Sequence, residues 1–394
     1  MKLFNTLTQS LQEFKPINDT VSIYVCGVTP YDTTHLGHAF TYITFDTLIR
    51  YLEYKGHTVK YVQNVTDIDD DVLRKARELD MKWDDLGNRE IERFLGEMDS
   101  LNWRRPDVYA RATDEMERIV QLNEGLLERG LAYVSEGCVF YDVRKDPEFG
   151  KMAQAVGLND YHSMLTIANE RGNFPDDKRK RDPLDFVLWQ AQAPGEPAWE
   201  SPWGPGRPGW HIECSSMAMH YLGQQIDIHG GGADLNFPHH TCEIAQSEHY
   251  SGKAPFVRTW MHVGMVYQDG EKMSKSLGNL TLVRNLLKEY SADAIRLVLQ
   301  SHHYRYQWEC FPEDLKIAAA NAYLFTQVRE LVGPELRGED SMLHNRFIAA
   351  MDNDLNTPEA TLLLKHAAQQ ALEEKNINLG SEILRLTKVL GLTA

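Results

Sequence analysis

The order of apolar and polar positions predicts alternating strands and helices at the start of the chain. Residues 21–25 and 58–62 are apolar-rich runs typical of buried strands, and residues 39–54 repeat their apolar positions at helical spacing. Residues 70–79 and 83–101 then indicate helices with charged faces. Strand, helix and strand in this order imply a right-handed crossover in a parallel sheet, which binds its ligands at the carboxyl ends of the strands. We therefore predict an α/β fold.

The alternation is interrupted once and ends before the last quarter of the chain. A helix, short strands and a stretch rich in Pro, Asp, Lys and Arg indicate an inserted subdomain before strand and helix alternate again. Every segment from residue 311 to the carboxyl end indicates a helix, with breaks at Gly333-Pro334 and Asn356-Thr357-Pro358. The predicted parts are the first half of a parallel-sheet domain, an inserted connective subdomain, the second half of the sheet domain and a C-terminal helical bundle, at residues 1–110, 111–200, 201–305 and 306–394.

Composition narrows the class of protein and its location. The chain has 394 residues, of which 42% are hydrophobic and 25% are charged, as in globular proteins with two or three domains. It shows neither a signal peptide nor an apolar run of ~18 residues, so we expect a cytoplasmic monomer without a membrane partner. The formal net charge of −16 predicts average repulsion from nucleic acid, although a local basic patch is compatible with it.

Two short motifs carry the chemistry of an ATP-dependent enzyme. His35-Leu36-Gly37-His38 lies between a predicted strand and a predicted helix. The free amide groups at a helix N-terminus bind anions, and imidazoles placed there can donate to phosphate oxygens. Lys272-Met273-Ser274-Lys275-Ser276 lies in a loop after a strand-like run at residues 260–267, and its two lysines suit a triphosphate. Each motif is weak alone, but together they resemble the HIGH and KMSKS signatures of class I aminoacyl-adenylate-forming enzymes. We predict that His35, His38, Lys272 and Lys275 stabilise charge as pyrophosphate leaves the α-phosphate.

A metal site is the second candidate feature. His239 and Glu243 are four residues apart, so on a helix they share one face and reach one ion. Together with Cys26 and Cys214 they form a plausible tetrahedral Zn²⁺ set, although the spacing fits buried free thiols and a satisfied histidine as well. His240 and Cys242 are competing ligands, and Cys138 and Cys310 are predicted to be core. The odd number of five cysteines argues against a disulfide framework.

Several motifs resemble one family from about residue 20 to residue 305. They are Tyr24-Val25-Cys26-Gly27, the His35 motif, Gln63-Asn64-Val65-Thr66-Asp67-Ile68-Asp69-Asp70, Pro208-Gly209-Trp210-His211-Ile212-Glu213-Cys214, Asp227-Ile228-His229-Gly230-Gly231-Gly232, Phe237-Pro238-His239-His240 and residues 272–279. These motifs resemble the cysteinyl-tRNA synthetase superfamily. The resemblance implies a Rossmann-like class I synthetase catalytic domain that converts L-cysteine and ATP, with Mg²⁺, into cysteinyl-AMP. It also implies one Zn²⁺ per chain, and a soft metal with an open position selects cysteine over serine.

The resemblance also assigns an adenylate site. The implied residues are Cys26, Gly27, Val28, Thr29, Thr41, Asn64, Val65, Thr66, Trp210, Gly232, Ala233, Asp234 and Val266. Trp210 is expected to wall a small thiol side chain, with simple core packing as the alternative. Gly230 to Gly232 form either a turn or a backbone approach to a ribose, with Asp234 as the hydroxyl acceptor. Asp67, Asp69 and Asp70 suit Mg²⁺ or a helix N-cap equally.

The superfamily has two main members, and the motifs divide between them. Features of a mycothiol-pathway ligase are Thr29-Pro30-Tyr31, the segment Glu170-Arg171-Gly172-Asn173-Phe174-Pro175 (in which Asn173 and Phe174 depart from that pattern), and a chain that ends without an anticodon-binding domain. Features of a tRNA enzyme are His229, Glu243-Ile244-Ala245-Gln246-Ser247-Glu248 and Ser276-Leu277-Gly278-Asn279.

We weigh the missing domain most, because recognising a tRNA takes a large, locally basic surface. We therefore predict transfer of cysteine to the amine of glucosaminyl-inositol, and the alternative is a cysteine–tRNA ligase that acts on tRNA(Cys). A nucleotidyltransferase, which shares the fold and a His-x-Gly-His motif but needs no zinc, and a synthetase-like protein that only binds nucleotide are the other classes left open.

Overall fold

A computed structural model describes residues 1–31, 34–268, 270–273, 280–338 and 340–393, with the side chains of residues 271 and 272 excepted. The chain begins with a hairpin and continues with three strands and three helices. These elements are β1 (Lys2–Asn5), β2 (Ser10–Glu13), β3 (Thr20–Val28), α1 (Leu36–Tyr54), β4 (Thr58–Val65), α2 (Asp70–Glu78), α3 (Trp83–Ser100) and β5 (Val108–Arg111). Each strand and helix predicted here is present, with bounds that differ by a few residues.

A second sheet, which is antiparallel, follows in the chain. It runs past residue 200 and has the strand order β6-β7-β8-β9. The elements of this region are α4 (Met116–Glu128), β6 (Ala132–Ser135), β7 (Cys138–Tyr141), α5 (Lys151–Ala155), α6 (Tyr161–Glu170), β8 (Phe186–Ala191) and β9 (Gly206–Pro208). This separately paired sheet lies in the chain between two sets of parallel strands. It falls where the sequence interrupts the alternation of strands and helices.

Parallel strands and helices then resume. The elements are α7 (Trp210–Leu222), β10 (Ile226–Gly232), α8 (His239–Ser251), β11 (Val257–Val263), β12 (Val266–Gln268), β13 (Glu271–Lys272), α9 (Val283–Leu286), α10 (Ala292–Gln300) and β14 (Trp308–Glu309). The sequence predicts one strand at 260–267, whereas the structure has two strands in different sheets. A Cβ at Gly264, between them, would lie 2.3 Å from the carbonyl oxygen of Tyr306, so this close passage requires glycine.

The five strands of the central sheet are all parallel. Their order is β11-β10-β3-β4-β5. The strand β3, which comes first in the chain among these five, therefore lies in the middle of the sheet. The predicted α/β Rossmann-like architecture with a parallel sheet is confirmed. Gly230, Gly231 and Gly232 lie inside β10, where they pair with β11, rather than in a turn.

Four helices complete the chain, as the sequence predicts: α11 (Pro312–Val332), α12 (Ser341–Asp352), α13 (Thr357–Glu374) and α14 (Ile377–Val389). The predicted breaks at Gly333 and Asn356 are present, because the first ends α11 with φ 75° and the second caps α13 through its side chain. A further break at Lys375, with φ 54°, was not marked by the apolar pattern. None of the helices in the described part of the chain has the length and apolar character needed to cross a lipid bilayer.

A buried ionic junction ties the helical region to the sheet domain. Arg296, on α10, is fully buried and donates to Asp46 on α1, to the Leu101 carbonyl at 2.9 Å and to the Leu390 carbonyl at 2.6 Å. Asp46 is equally buried and also accepts from Arg50 at 3.0 Å. One guanidinium therefore satisfies groups from three separate parts of the chain, and a buried ion pair of this kind is costly to break from one side.

We expect Arg296→Met to lower the free energy of unfolding by about 3–5 kcal/mol, because it takes the buried guanidinium away from the buried Asp46 carboxylate and removes a donor from the Leu101 carbonyl. The control is Arg105→Met, which removes an arginine that is 58% exposed and pairs with Asp99; its effect should stay below about 1 kcal/mol. Urea unfolding followed by circular dichroism measures both variants. Equal losses of stability would contradict the role of the junction.

Candidate active site

A large cavity lies at the carboxyl ends of the parallel strands. Its volume is about 1260 Å³, and residues that follow β3, β10 and β11 line it together with the start of α1 and part of the segment before β8. This is where a parallel α/β sheet binds its ligands, since the strand ends leave a crevice there.

Four of the predicted metal ligands meet beside this cavity. Cys26 comes from β3, Cys214 from α7, and His239 and Glu243 lie one helical turn apart on α8. Their ligand atoms all lie within 4.8 Å of one another, and all four side chains are buried. The structure thus brings together the two cysteines, which are far apart in the sequence.

The distances in this cluster fit a tetrahedral zinc ion. Two sulfurs bound at about 2.3 Å to a tetrahedral ion lie roughly 3.8 Å apart, and the sulfurs of Cys26 and Cys214 are 3.8 Å apart. The Cys26 sulfur lies 3.6 Å from Oε1 of Glu243, and Nε2 of His239 lies 3.1 Å from the same oxygen. The donor set of two thiols, one imidazole and one carboxylate therefore fits the chemistry and the size of Zn²⁺.

A second, overlapping donor set shares Cys26 and Glu243 and adds His229 and His240. Nε2 of His240 is 3.3 Å from the Cys26 sulfur, and its Nδ1 contacts His262 at 2.6 Å. The predicted competitor His240 is thus close to the cluster, whereas Cys242 belongs to neither set within the described residues. Two thiolates favour the first set, because sulfur ligands select zinc.

The electrostatics of the cluster favour deprotonated Cys214 and Glu243, whereas burial raises the pKa of the Cys26 thiol well above its usual value. Burial also lowers the pKa of His239, but the charges of Cys214 and Glu243 outweigh it and raise this pKa to about 10. Burial raises the pKa of the Cys214 thiol, but the hydrogen bond with Cys26 and the charge of His239 outweigh it and hold this pKa at about 6. Burial also raises the pKa of Glu243, and the charges of His229 and His239 overcome that and lower it to about 2. A thiolate and a carboxylate side by side in a dry site are what a cation requires.

An outer layer of side chains orients the four candidate ligands. Nε2 of His229 contacts Oε2 of Glu243 at 2.8 Å, and Nδ1 of His211 contacts Nδ1 of His239 at 2.9 Å. The ring of Trp210, which is 38% exposed and lines the cavity, stacks on the His239 ring with centroids 4.3 Å apart. Partners of this kind fix ligand orientation and tautomer in metal sites.

The His35 motif has a structure that the sequence does not reveal. Nδ1 of His35 accepts from the amides of Gly37 at 3.1 Å and His38 at 3.4 Å, so this imidazole is the N-cap of α1. The amide of Leu36 donates to the Thr281 carbonyl at 2.8 Å. The first amides of the helix therefore have protein acceptors in this structure, whereas the sequence analysis expects them to be free for an anion. The imidazoles themselves remain: the two rings stack with centroids 3.7 Å apart and line the cavity.

The chain after the second motif is fixed to the first motif. Val283 donates to the Thr34 carbonyl at 3.1 Å, and His35 pairs with Leu282 in an isolated antiparallel bridge. Lys272 lies in β13, and its backbone pairs with Tyr267 of β12. The side chain of Lys272 is not described. Lys275 lies outside the described residues. The prediction for both lysines stays a prediction.

The predicted adenylate residues fall into two groups. The cavity is lined by Cys26, Gly27, Val28, Thr29, Thr41, Trp210, Gly232, Asp234 and Val266. Asn64, Val65, Thr66 and Ala233 are not among the lining residues. Asn64 accepts from the Gly27 amide at 2.8 Å, and Thr66 donates to Glu213 at 2.8 Å. Both therefore contact residues that line the cavity without lining it themselves. A Cβ at Gly27 would lie 1.6 Å from the Asn64 carbonyl oxygen, so the wall requires glycine there.

Two residues of the site were missed at the sequence level. Glu213 is buried, lines the cavity and accepts from Thr66, although only its neighbour Cys214 had been singled out. Burial raises the pKa of Glu213 well above its usual value, and Cys214 raises it further. Arg171 donates to the carbonyls of Asp234 and Phe237, and this contact between distant segments has no signal in the sequence.

Comparisons with known proteins agree with the fold and show the family. The family described as tRNA synthetases class I (C) catalytic domain matches residues 13–320. A methionyl-tRNA synthetase from Mycobacterium tuberculosis, solved in complex with methionyl-adenylate, superposes with a TM-score of 0.67 at 15% identity, over 95% of this chain and 90% of that chain. The chain belongs to the class I tRNA synthetases, and the prediction of a ligase enzyme is confirmed.

Two curated relatives, at 45% and 46% identity, carry the same name. A protein from Vibrio atlanticus is 45% identical over 403 residues, which cover 100% of this chain and 85% of the relative. A protein from Dehalococcoides mccartyi is 46% identical over 365 residues, which cover 91% of this chain and 78% of the relative. Both are named cysteine–tRNA ligase.

Two substitutions at His35 separate its capping role from its imidazole. We expect His35→Ala to lower the free energy of unfolding by about 1 kcal/mol, whereas His35→Asn should change it little, because asparagine is a strong N-cap. Urea unfolding of the two variants and the parent chain measures the difference. Equal destabilisation by alanine and asparagine would show that the cap contributes nothing.

Proposed function

We propose that the chain is a cysteine–tRNA ligase. The carboxylate of cysteine attacks the α-phosphorus of ATP, and the bond from the α-phosphorus to the β-phosphate oxygen breaks. Pyrophosphate is released and cysteinyl-AMP is formed. A terminal ribose hydroxyl of tRNA then attacks the activated carbonyl, and AMP leaves. The observation that carries the proposal is the cluster of Cys26, Cys214, His239 and Glu243 within 4.8 Å beside the cavity. The names of both relatives support the same reaction.

Cysteine would be selected at the cluster. Cys26, Cys214, His239 and Glu243 would hold one Zn²⁺, which when bound supplies a soft site that prefers a thiolate to a hydroxyl. Trp210, stacked on His239, covers the adjacent wall and limits the room for larger side chains. Discrimination by metal–ligand chemistry separates cysteine from serine more strongly than an apolar pocket would.

Phosphate charge would be balanced by the two signature motifs. The stacked imidazoles of His35 and His38 face the cavity, and Nδ1 of His35 is held by backbone amides, so its Nε2 carries the proton that an imidazole donates. Lys272 and Lys275 would act from the other side, and Mg²⁺ would accompany ATP. Positioning and charge neutralisation then account for catalysis, without an enzyme nucleophile.

The acceptor is where the proposal departs from our first prediction. Two short segments favour the amine of glucosaminyl-inositol, whereas the relatives, matched over 100% and 91% of this chain, carry the name of the tRNA enzyme. Identity spread over the whole chain outweighs a few short segments. The mycothiol-type acceptor finds no support in these comparisons, and we take the alternative.

The first experiment tests both the metal and the acceptor. We expect the purified chain to contain one zinc and to catalyse cysteine-dependent exchange of pyrophosphate into ATP, and Cys214→Ser to lose both. Cys310→Ser is the matched control, because that thiol is buried but lies outside both candidate donor sets. His35→Asn should keep the zinc and lose the exchange. Transfer of cysteine is then assayed with total tRNA and with glucosaminyl-inositol; amide formation without charging of tRNA would overturn the proposal.

A second experiment addresses the outer layer. Tyr24 shares a face of β3 with Cys26, is fully buried, and its hydroxyl has no oxygen or nitrogen partner in the described structure. Because a hydroxyl there can donate to the sulfurs, we expect Tyr24→Phe to weaken zinc binding by about 10-fold or more. Tyr61→Phe, a buried tyrosine on β4 that donates to Gln63, is the control. Chelator competition measures the affinities, and equal values for parent and Tyr24→Phe would contradict the role.

A further inference from the structure

The cavity wall beside the candidate metal cluster contains a carboxyl group that has no role so far in the proposed reaction. Glu213 precedes the candidate ligand Cys214 on α7, is 1% exposed and lines the cavity. Its Oε2 accepts from the hydroxyl of Thr66 at 2.8 Å, and Thr66 directly follows the end of β4. Glu213 thus connects the helix that carries Cys214 with the carboxyl end of a central strand.

The other oxygen of this carboxyl group has no partner. Oε1 of Glu213 is buried and makes no hydrogen bond within the part of the chain that the structure describes. Most buried polar atoms in proteins are hydrogen-bonded, so an exception on a cavity wall requires an explanation. Because Thr66 fixes the carboxyl group through Oε2, Oε1 is the atom that is left for a ligand in the cavity.

The surroundings of Glu213 indicate the charge of that ligand. The ionisable groups that act most strongly on it are themselves acidic, namely Cys214, Asp67 and Asp69. The two aspartates already accept from donors in neighbouring segments. Glu213 therefore combines an unused acceptor atom with neighbours that carry negative charge or none. The ligand that such a group favours is a cation with hydrogen atoms to donate, and an alkylammonium group fits this description.

The amino acid of the proposed reaction carries such a group. In that reaction the thiolate of cysteine lies at the metal cluster and the carboxylate meets the α-phosphorus of ATP. The ammonium group, only a few bonds from the sulfur, still needs an acceptor. Glu213 is the sequence neighbour of the candidate ligand Cys214 and lines the same cavity, so its position suits the ammonium group of a cysteine that is bound at the cluster.

We propose that Oε1 of Glu213 binds the α-ammonium group of the substrate cysteine, while the hydroxyl of Thr66 holds the carboxylate in place. This inference rests on the proposed function, because it takes cysteine as the substrate. The cost of burying a carboxylate at this position is offset when an ammonium group lies beside it. The thiolate, the ammonium group and the carboxylate of cysteine are then held at three separate places, and three fixed contacts define the handedness of an amino acid.

Two analogues of cysteine isolate the contact. Cysteamine has the thiol and the ammonium group, whereas β-mercaptopropionate has the thiol and the carboxylate. We expect Glu213→Gln to raise the KM for cysteine in pyrophosphate exchange, and the dissociation constant of cysteamine, by about ten-fold or more, because a hydrogen bond between charged groups is lost. The dissociation constant of β-mercaptopropionate and the zinc content should not change. Calorimetry without ATP measures both dissociation constants.

Two further variants accompany this test. Glu115→Gln is the matched control: Glu115 is 2% exposed and accepts from Tyr221 at 2.7 Å, but it is not among the described residues that line the cavity. It should change none of the three constants. Thr66→Val removes the donor that holds Glu213, so it should raise the constants for cysteine and cysteamine more than that for β-mercaptopropionate.

The outcomes separate recognition of the ammonium group from a structural role. An equal rise of all three constants in Glu213→Gln, no rise in any of them, or a loss of zinc from this variant would each overturn the inference. So would a Thr66→Val variant that weakens the two analogues equally. A parent chain that shows no cysteine-dependent pyrophosphate exchange would instead refute the proposed function, and the inference with it.

Discussion

Two thiols and a carboxylate that are buried together constrain the rest of the site. Cys26, Cys214 and Glu243 lie within 4.8 Å of one another and of His239, all shielded from water. A Cys214 thiolate and the Glu243 carboxylate so close together in a dry interior need positive charge beside them, which either the His239 imidazolium or a bound metal cation supplies. Because the ligands come from β3, α7 and α8, a cation bound there joins the sheet to both helices. His229 on β10 extends the same contact network by holding the second oxygen of Glu243.

The position of β3 explains why the candidate metal cluster and the imidazoles of His35 and His38 are neighbours. This strand is the middle one of the five, it carries Cys26 near its end, and the chain leads from it to His35 and α1. The distance between the metal cluster and the imidazoles is therefore set by one short connection. The chain after the second motif is paired with Thr34 and His35, so it is fixed to the same point. Three functional groups thus share one structural reference, which is the carboxyl end of β3.

Much of this arrangement can be predicted from local pattern, and the remainder depends on contacts that local pattern does not encode. Strand and helix order followed from apolar periodicity, and the i,i+4 pair of His239 and Glu243 followed from helix geometry. The meeting of Cys26 with Cys214 required the fold, because nothing in either local segment specifies the other. The cap formed by His35 depends on the orientation of one ring, and the division of the 260–267 run depends on the backbone of Tyr306 packing against Gly264. The sequence does not identify the acceptor either, because Thr29-Pro30-Tyr31 and Glu243 resemble different members of one superfamily.

The connective segment links the two ends of the cavity mechanically. Arg171 holds the carbonyls of Asp234 and Phe237, and Phe237 is separated from the candidate ligand His239 by one residue. Asp234 is the predicted ribose partner, so one guanidinium borders both the candidate ribose site and the candidate metal cluster. Because interiors are close-packed and transmit small displacements, a shift of the inserted segment would reach both places. This coupling requires the inserted segment to be anchored, and the hydrogen bonds around Asn173 supply that anchor.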